Sequence, residues 1–397
     1  MKTADSQIPR RTIAFISLYT EMGGGEFSLY YILKYLDKQR YRPILIVNRD
    51  GPLVERVKSL GIEIFRIPFS VVMLKELIRP KNFAQNFRAA IALKKLLAAE
   101  HVDIIQCGDV LSFLILLPAL LTRPRSVVFS VIFYYEKLRA WLLNLLALVF
   151  TAKIVTNSKS VSDDLLLHTI GLRRKNTVIY IGVETAEFYP RSPAEKKVLR
   201  KKLSLPEDKI IVGFIGRYEL WKGHLTFLDA AKQLLAKRND LLFLIVGGAM
   251  TENVIPAITQ YRKTVLEKAA SFKQGKELII MDHRNDIPEI MGSLDVFVCP
   301  SDREPMGIVV LEAYACGIPV VASRSVGALE IFPPDKRIFI AEPNDPGSFA
   351  GKIEVAIAFA AQEISQADTE RKNIASLLSR YSWLEHAKAF ERVYDGV

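Results

Sequence analysis

The sequence has few cysteines and lacks the short motifs of disulfide frameworks and metal sites. Its 397 residues include three cysteines, Cys107, Cys299 and Cys316, and no two of them have C-x-x-C spacing. This excludes a disulfide framework and a zinc knuckle, and it predicts reduced thiols in a cytoplasmic protein. H-x-E, H-E-x-x-H and D-x-D sequences are also missing. We therefore expect neither a metal ion nor a cofactor.

Long apolar segments are missing as well. The longest uncharged runs, Val110–Thr122 and Ala140–Ala152, have 13 residues each, whereas a helix needs about 20 to cross a bilayer. Residues 1–12 contain no apolar stretch, so we expect no secretory signal there.

Positive charge is unevenly distributed. The formal net charge is +11, and residues 1–190 hold 26 lysines and arginines against 16 acidic residues. Residues 191–397 are almost neutral, with 28 against 27. The basic half predicts an anionic partner such as a membrane surface or an acidic substrate. Lysines that serve only solubility remain the alternative.

Short runs that are apolar throughout alternate with helical segments along the chain. Such runs are typical of strands buried on both faces of a parallel sheet. Two series of them predict an α/β protein with two Rossmann-like, doubly wound domains, joined by a linker at 189–203. The predicted strands are 12–18, 43–48, 102–107, 126–133 and 153–158 in the first series, and 210–216, 241–247, 277–281, 295–301 and 318–323 in the second.

One segment of the first half has a helical apolar stripe next to two cations. The stripe consists of Leu138, Trp141, Leu142, Leu145, Leu146 and Val149, and Lys137 and Arg139 flank its start. A helix of this kind can lie at a membrane interface. It can equally pack on the sheet of its own domain, and the sequence leaves both interpretations open.

The first strand is followed by Gly23, Gly24 and Gly25 and then by a helix with a core-facing stripe. Glycines at this position let the backbone approach a ligand, and they direct N–H groups at an anion. A tight turn explains them equally well. No Lys-Ser/Thr follows, so a P-loop is excluded.

The second half has the more specific pattern. Arg217 and Lys222 follow the strand 210–216, and two cations on a strand-end loop can converge on a diphosphate. Glu304 and Glu312 are separated by seven residues, and a helix is predicted to open near Gly307. Its first amides, those of Met306, Gly307 and Ile308, would then form an anion site. Two carboxylates flanking that site can hold the hydroxyl groups of a ribose and a hexose, as a nucleotide-sugar requires.

These segments resemble the retaining GT-B glycosyltransferases of family 4, also called glycosyl transferases group 1. The similar stretches are VGFIGRYELWKGHLTFLDAA (212–231), FLIVGG (243–248), NDIPEIMGSLDVFVCPS (285–301), EPMGIVVLEAYACGIPVVAS (304–323), SKSVSDDLL (158–166), VIYIGVETAEFYP (178–190) and SWLEHAKAFERVYDGV (382–397). The resemblance implies an acceptor domain at 1–190, a donor domain at 191–380 across a cleft, and a C-terminal helix, 381–397, that returns to the first domain.

The resemblance also assigns roles to individual residues. Arg217 and Lys222 would bind the donor diphosphate, Glu304 the donor sugar, and Glu312 the ribose. The backbone of Met306, Gly307 and Ile308 would bind phosphate, Gly24 would approach the phosphates and the acceptor, and Arg284 and Asn285 would lie on the base-contacting loop. We count Arg217, Lys222 and Glu304 as catalytic.

Two positions depart from the family pattern. The segment Ile181–Glu184 lacks the asparagine that begins Asn-Gly-Val-Asp in many relatives, and no histidine occurs between His101 and His168. Ser130, Tyr134 and Tyr135 are candidate replacements for that histidine. Of the remaining histidines, His224 is expected to begin a helix, and His283 is open between a structural and a functional role.

The resulting hypothesis is a metal-independent, retaining hexosyltransferase. It would use a UDP- or GDP-sugar and a glycan or lipid-linked acceptor in envelope polysaccharide or lipopolysaccharide synthesis, and it could reside at the inner face of the cytoplasmic membrane. No nucleic acid partner is expected. The alternatives are a nucleotide-sugar epimerase of the same fold and a catalytically weak sugar-nucleotide-binding protein. An NAD-dependent oxidoreductase is disfavoured because the second strand ends in Asn48 rather than in an acidic residue.

Overall fold

The computed structural model describes residues 10–69, 80–120, 126–134, 137–166, 171–248, 256–332, 336–362 and 367–397. The chain forms two compact units. Unit 1 is Met1–Gly182 with Trp383–Val397, and unit 2 is Val183–Ser382.

Unit 1 is built on a seven-stranded parallel sheet with the order β3-β2-β1-β4-β5-β6-β7. Its strands are β1 (Arg11–Ser17), β2 (Tyr41–Val47), β3 (Glu63–Arg66), β4 (Ile104–Cys107), β5 (Val127–Val131), β6 (Lys153–Thr156) and β7 (Asn176–Val178). Its first six helices are α1 (Gly24–Tyr35), α2 (Pro52–Lys58), α3 (Pro80–Ala99), α4 (Val110–Leu120), α5 (Lys137–Phe150) and α6 (Lys159–Leu166).

The helices of unit 1 cover both faces of this sheet. Successive residues of a strand point to opposite faces, and in β1 Ile13 and Phe15 pack with α1 and α2, whereas Ala14 and Ile16 pack with α3, α4 and α5. This is the doubly wound arrangement that the apolar runs predicted.

Unit 2 repeats the plan with a six-stranded parallel sheet in the order β10-β9-β8-β11-β12-β13. Its strands are β8 (Ile210–Ile215), β9 (Leu241–Val246), β10 (Leu278–Met281), β11 (Val296–Cys299), β12 (Val320–Ser323) and β13 (Ile338–Ala341). Its helices are α7 (Pro193–Lys202), α8 (His224–Leu235), α9 (Pro256–Ala269), α10 (Ile287–Ser293), α11 (Ile308–Ala315), α12 (Pro346–Gln362) and α13 (Ala367–Leu378).

All ten predicted strands are confirmed, and the two-domain α/β class with them. The three strands that the sequence did not reveal are β3, β7 and β13. Each lies at an edge of its sheet, and each has partly exposed side chains. An edge strand has only one paired neighbour and is less covered, so it does not need a continuous apolar run.

The linker predicted at 189–203 is wrong, because most of it is helix α7. Ser192 caps the helix: its hydroxyl accepts a hydrogen bond from the Glu195 amide, at 3.2 Å, and the Glu195 carboxylate accepts the Ser192 amide, at 2.8 Å. This is a capping box, and it explains why a charged, proline-containing segment folds. Arg200 is buried and forms an ion pair with Asp295.

The boundary between the units lies at 182–183 rather than at 190–191. The Val183 amide donates to the Tyr381 carbonyl, at 2.9 Å, so this stretch already belongs to unit 2. Pro190 packs against Gly317, where an added Cβ would lie 3.3 Å from the proline ring.

The C-terminal helix, α14 (Trp383–Asp395), returns to unit 1, which confirms that part of the fold prediction. Trp383 stacks on Tyr31 of α1 with ring centroids 4.4 Å apart. The Arg11 guanidinium donates to the carbonyls of Tyr394 and Val397, at 2.8 Å each.

Helix α5 combines a packed and an exposed side. Leu143 and Ala147 are buried, whereas Leu145 and Val149 of the predicted stripe are exposed and Leu146 packs on the core. The side chains of Leu138, Trp141, Leu142, Lys137 and Arg139 lie outside the described residues. Among the helices that the structure describes, none has the length and apolarity needed to span a bilayer.

Candidate functional site

The loops after β8 and β11 bring Lys222 and Glu304 together. The two strands are neighbours in a parallel sheet, so their carboxyl ends, and the loops that follow, lie at the same edge. Lys222 Nζ and Glu304 Oε2 are 2.5 Å apart, and both side chains are largely buried. Burial lowers the local dielectric and strengthens this ion pair relative to one on the surface. The structure therefore joins two residues that stand 82 positions apart in sequence.

Ser301 also contacts this ion pair, and the sequence analysis missed it. Its hydroxyl donates to Glu304 Oε2 at 3.0 Å, and its carbonyl accepts the Ser325 hydroxyl at 3.1 Å. Ser301 is fully buried, so its bond to Glu304 is shielded from water. The available signal in the sequence was a serine two residues after the end of β11. The Ser301 hydroxyl orients the Glu304 carboxylate toward Lys222.

The backbone around Glu304 is fixed as well. Its amide donates to the Ser325 carbonyl at 3.3 Å, and its carbonyl accepts the Gly327 amide at 2.9 Å. Both partners follow β12, the strand next to β11. Glu304 is thus held from three adjacent strand ends, its carboxylate by Lys222 and Ser301 and its backbone by the loop after β12, which is the rigidity that a binding group needs.

Two glycines place these loops. Gly223 has φ +78°, and a Cβ there would lie 2.1 Å from the Pro300 carbonyl oxygen. Gly307 has φ +82° and comes immediately before α11. Side chains rarely adopt such φ values, so only glycine fits both positions without strain. Gly223 lets the β8 loop approach the β11 loop, and this approach brings Lys222 within reach of Glu304.

Helix α11 begins at Ile308, as the sequence predicted. The amides of its first turn form its positive end, and one of them, that of Val310, donates to the Gly307 carbonyl at 3.0 Å. Met306 is buried, and its carbonyl accepts the Ala328 amide at 2.6 Å. The backbone of Met306, Gly307 and Ile308 therefore follows closely after Glu304 at a helix N-terminus, which is an arrangement suited to an anion.

Arg217 lies on the same loop as Lys222. Burial raises the pKa of Glu219, and the positive charges of Arg217 and Lys222 oppose that rise. The three charged groups therefore lie within electrostatic reach of one another. Glu219 is a further carboxylate of this loop that the sequence analysis did not select.

Glu312 lies in the second turn of α11. Burial of the carboxyl group, and second the negative charge of Glu187, raise the pKa of Glu312 to about 8. A carboxyl group with this pKa is mostly protonated at pH 7. In that state it accepts hydrogen bonds more weakly than a carboxylate does.

If Glu312 accepts hydrogen bonds from a ribose, nucleotide affinity should depend on pH. We expect the affinity for a nucleoside diphosphate to rise between pH 7 and pH 9. Below the pKa of Glu312 the rise should be up to about tenfold per pH unit. The reason is that the Glu312 carboxyl group must lose its proton before it can accept hydrogen bonds from the ribose as a carboxylate. Calorimetric titration at several pH values measures this. The matched variant Glu312→Gln should show little pH dependence, binding close to the wild type at pH 7 and more weakly than the wild type at pH 9. A wild-type affinity that is flat across this range would contradict the assignment.

Arg284 and Asn285 lie on the loop after β10, and β9 separates that strand from β8. The Arg284 guanidinium donates to Asp286 Oδ1 at 2.8 Å, and both Arg284 and Asn285 are exposed. The Arg284 side chain is therefore engaged within its own loop. The expected place of Arg284 and Asn285 on a base-contacting loop stays a prediction.

Gly24 belongs to unit 1, at the first position of α1. A Cβ on Gly25 would lie 2.7 Å from Ile132 Cδ1 and would displace the end of that flexible side chain. A Cβ on Gly24 would meet no heavy atom within 4 Å. The packing of the described residues therefore does not require a glycine at position 24, and the predicted role in ligand approach stays a prediction.

Two candidate replacements for the missing histidine already have hydrogen-bond partners within unit 1. Ser130 is buried and accepts a hydrogen bond from Gln106 Nε2 at 2.7 Å. The Tyr134 hydroxyl donates to Ser160 Oγ at 3.0 Å. Tyr135 lies outside the described residues.

The prediction for His224 is confirmed, since it begins α8. Its ring is buried against Phe214, Tyr218 and Tyr261. This burial lowers the pKa of His224 to about 3, so the ring is neutral and serves packing. His283 is exposed. Within the described ranges, no three or more His, Cys, Asp or Glu side chains form a group that could hold a metal ion.

Two family models match the chain, one in each half. The model described as glycosyl transferases group 1 matches residues 195–367, and the model described as glycosyltransferase family 4 matches residues 22–187. The first of these contains the whole Lys222–Glu304 region.

Several curated relatives are named as glycosyltransferases. The capsular polysaccharide biosynthesis glycosyltransferase CapM of Staphylococcus aureus is 23% identical over 63% of this chain and 64% of its own length. A UDP-Gal:α-D-GlcNAc-diphosphoundecaprenol α-1,3-galactosyltransferase of Escherichia coli is 25% identical over 89% of each chain. For CapM and two further relatives from Corynebacterium, the chain spans 51 to 64% of the length of the relative.

A solved structure shares the fold. HepE of Anabaena, in complex with UDP and glucose, superposes with a TM-score of 0.79 over 98% of this chain and 100% of its own, at 19% identity.

Proposed function

We propose that this chain, a member of the GT-B glycosyltransferases of family 4, transfers a hexose from a nucleotide-sugar donor to a glycan or lipid-linked acceptor. The observation that carries the proposal is the buried Lys222–Glu304 ion pair beside the N-terminus of α11. A sugar diphosphate offers an anion to Lys222 and hydroxyl donors to Glu304. It can therefore satisfy both members of the pair at once.

The donor diphosphate would lie against Arg217, Lys222 and the first amides of α11. Departure of the nucleoside diphosphate builds negative charge on the β-phosphate. Cations and amides that are already fixed in place stabilise this charge without reorganising. Glu304 would hold the hexose, and Glu312 the ribose.

The transfer would retain the anomeric configuration. The bond between the anomeric carbon and the β-phosphate oxygen breaks, and the acceptor hydroxyl oxygen attacks from the same face. The acceptor proton passes to the departing phosphate oxygen. This route needs no side-chain base, and so it accommodates the absence of a histidine after β5.

We expect transfer to proceed without a divalent cation. Arg217 and Lys222 supply positive charge at the phosphate site, and the sequence has no D-x-D motif. Activity in excess EDTA should equal activity with Mg²⁺ or Mn²⁺ when both are measured as nucleoside diphosphate release. Loss of turnover in the chelator, with recovery on adding either metal, would contradict this.

The acceptor would be an envelope glycan or its lipid-linked precursor, met at an anionic membrane. The charge of the chain supports this, since residues 1–190 carry 26 basic against 16 acidic residues. The relatives named above act in capsule synthesis and on a diphosphoundecaprenol-linked sugar. The exposed Leu145 and Val149 of α5 are a first candidate contact with the membrane.

A thermal-shift panel with UDP, GDP, ADP and their sugar conjugates tests the proposal. A nucleotide at 100 times its Kd should stabilise the protein by about 2.7 kcal/mol. The panel also identifies the base, because only the correct nucleotide should act at low concentration. If no nucleotide shifts the melting temperature, the proposal fails. Binding without hydrolysis or transfer would favour the catalytically weak binding protein, and interconversion of the bound sugar would favour an epimerase.

A further inference from the structure

Helix α3 has a row of exposed large apolar side chains. Phe83, Phe87 and Ile91 are 62%, 53% and 44% exposed, and the two phenyl rings stack with centroids 6.3 Å apart. Their spacing of four residues keeps them within about 80° of one another around the helix. Single exposed apolar residues are ordinary, but a contiguous row of this kind marks an interaction surface.

The same face is basic. Arg88, Lys94 and Lys95 are exposed, and Lys94 falls between Phe83 and Phe87 in angle around the helix. No aspartate or glutamate occurs in Pro80–Ala99. We call this surface, formed by Phe83, Phe87 and Ile91 with the three cations, the α3 face.

The opposite side of α3 attaches the helix to unit 1. Ala89 and Leu93 are buried on that side and belong to the core under the sheet. The fold therefore uses this side and leaves the α3 face outward. Apolar burial in the core explains Leu93, but it does not explain two exposed phenylalanines.

We propose that the α3 face docks unit 1 on an anionic lipid bilayer. Phenyl rings and an isoleucine can enter the boundary between head groups and acyl chains, while the cations beside them contact anionic head groups. The proposal deepens the proposed function, since it rests on a lipid-linked acceptor for the transferase and names the surface that would bring the enzyme to that acceptor.

The charge pattern favours a bilayer over the other occupants of an apolar face. A second copy of the chain would set the three cations of each α3 face against those of the other, which is unfavourable without acidic partners. An anionic surface complements all three cations at once. Helix α5, with Leu145 and Val149 exposed, packs on the same side of the sheet and could add to the contact.

Vesicle flotation with the full chain tests the proposal. The test variant is Phe83→Ser/Phe87→Ser/Ile91→Ser, and the charge variant is Arg88→Gln/Lys94→Gln/Lys95→Gln. The matched control, Val198→Ser/Val355→Ser, removes apolar residues that are 67% and 53% exposed in unit 2. Leu145→Ser/Val149→Ser separates the contribution of α5. Melting temperatures should remain unchanged, because all these side chains are exposed.

Wild-type protein should float with vesicles of phosphatidylglycerol and phosphatidylcholine at low salt, and not with phosphatidylcholine alone. The test variant Phe83→Ser/Phe87→Ser/Ile91→Ser should bind the vesicles at least about tenfold more weakly than the wild type. The charge variant should lose the salt dependence of binding, since salt screens surface charges. The Val198/Val355 control should bind like the wild type.

Three outcomes would overturn the proposal. The first is wild-type protein that does not float. The second is a test variant (Phe83→Ser/Phe87→Ser/Ile91→Ser) that floats as well as the wild type. The third is a wild-type dimer in solution that dissociates in this test variant, without any effect of vesicles. Nucleotide binding, measured in parallel, keeps the two proposals distinct. Failure to float with intact nucleotide binding removes only the docking, and flotation without nucleotide binding removes only the transferase.

Discussion

Replacing Lys222 with alanine should lower kcat by about 10²–10³-fold. The ammonium group is fixed by the fold opposite Glu304 and would stabilise the charge that develops on the departing β-phosphate. Removing one preorganised donor of this kind costs roughly 2.7–4 kcal/mol of transition-state stabilisation. Arg217→Ala should act in the same direction, because Arg217 lies on the same loop. Steady-state release of nucleoside diphosphate measures both variants.

The control for Lys222 is Lys276→Ala, which removes an exposed lysine of the same unit. It should leave kcat unchanged. Loss of Lys222 also leaves the buried Glu304 carboxylate without its cation, which can destabilise the protein. The melting temperature of the variant must therefore be compared with that of the wild type, and the activity must be corrected for any unfolded fraction. Wild-type rates in Lys222→Ala and Arg217→Ala would end the assignment of this loop to the phosphate.

Replacing Glu304 with glutamine should lower kcat by about 10- to 100-fold while the affinity for nucleoside diphosphate stays near the wild-type value. A hydrogen bond to a charged group is worth about 1.5–3 kcal/mol, and Glu304 would contact the hexose, which the diphosphate lacks. The variant also releases Lys222 from its ion pair, which can only favour an anionic ligand. Calorimetry with the nucleoside diphosphate, together with kcat, separates the two effects.

Glu312→Gln supplies the contrast for Glu304→Gln. At pH 9, where the wild-type carboxyl group is ionised, it should weaken binding of the free nucleotide, because the ribose remains when the sugar is gone. Ser301→Ala should resemble Glu304→Gln in kind but be milder, since it removes one bond that orients the carboxylate. Equal loss of diphosphate affinity in Glu304→Gln and Glu312→Gln would show that the two carboxylates do not divide hexose and ribose in this way.

Much of the fold can be read from local sequence. The central strands of both sheets are buried on two faces, and each therefore appears as a continuous apolar run, as in Leu241–Val246. The edge strands β3, β7 and β13 escape this rule because they are partly exposed, whereas the edge strand β10 is still an apolar run. The segment 189–203 resembles a linker in sequence because its prolines and charges are typical of both a linker and a capped helix N-terminus.

Lys222 and Glu304 were candidates from the sequence, whereas Ser301 and Glu219 were not, and the contacts among these residues were not predictable. The positions of Lys222 and Glu304 after two strands follow from the sequence. Their ion pair, and its support by Ser301, depend on β8 and β11 being neighbours and on the left-handed backbone of Gly223. An apolar run in the sequence predicts where a strand ends, whereas the order of the strands is a property of the assembled sheet.

By itself, the sequence determined two parallel α/β units, the family resemblance and the residue types of the site, because apolar runs and short motifs are local. Only the tertiary structure decided which apolar residues stay outside. Helix α3 has apolar side chains on both sides, Leu93 inward and Phe83 outward, and its sequence alone does not say which side the sheet will cover. Packing decides this, because the side of α3 that fits closely against the core is buried, and the other side stays exposed to solvent or to a partner.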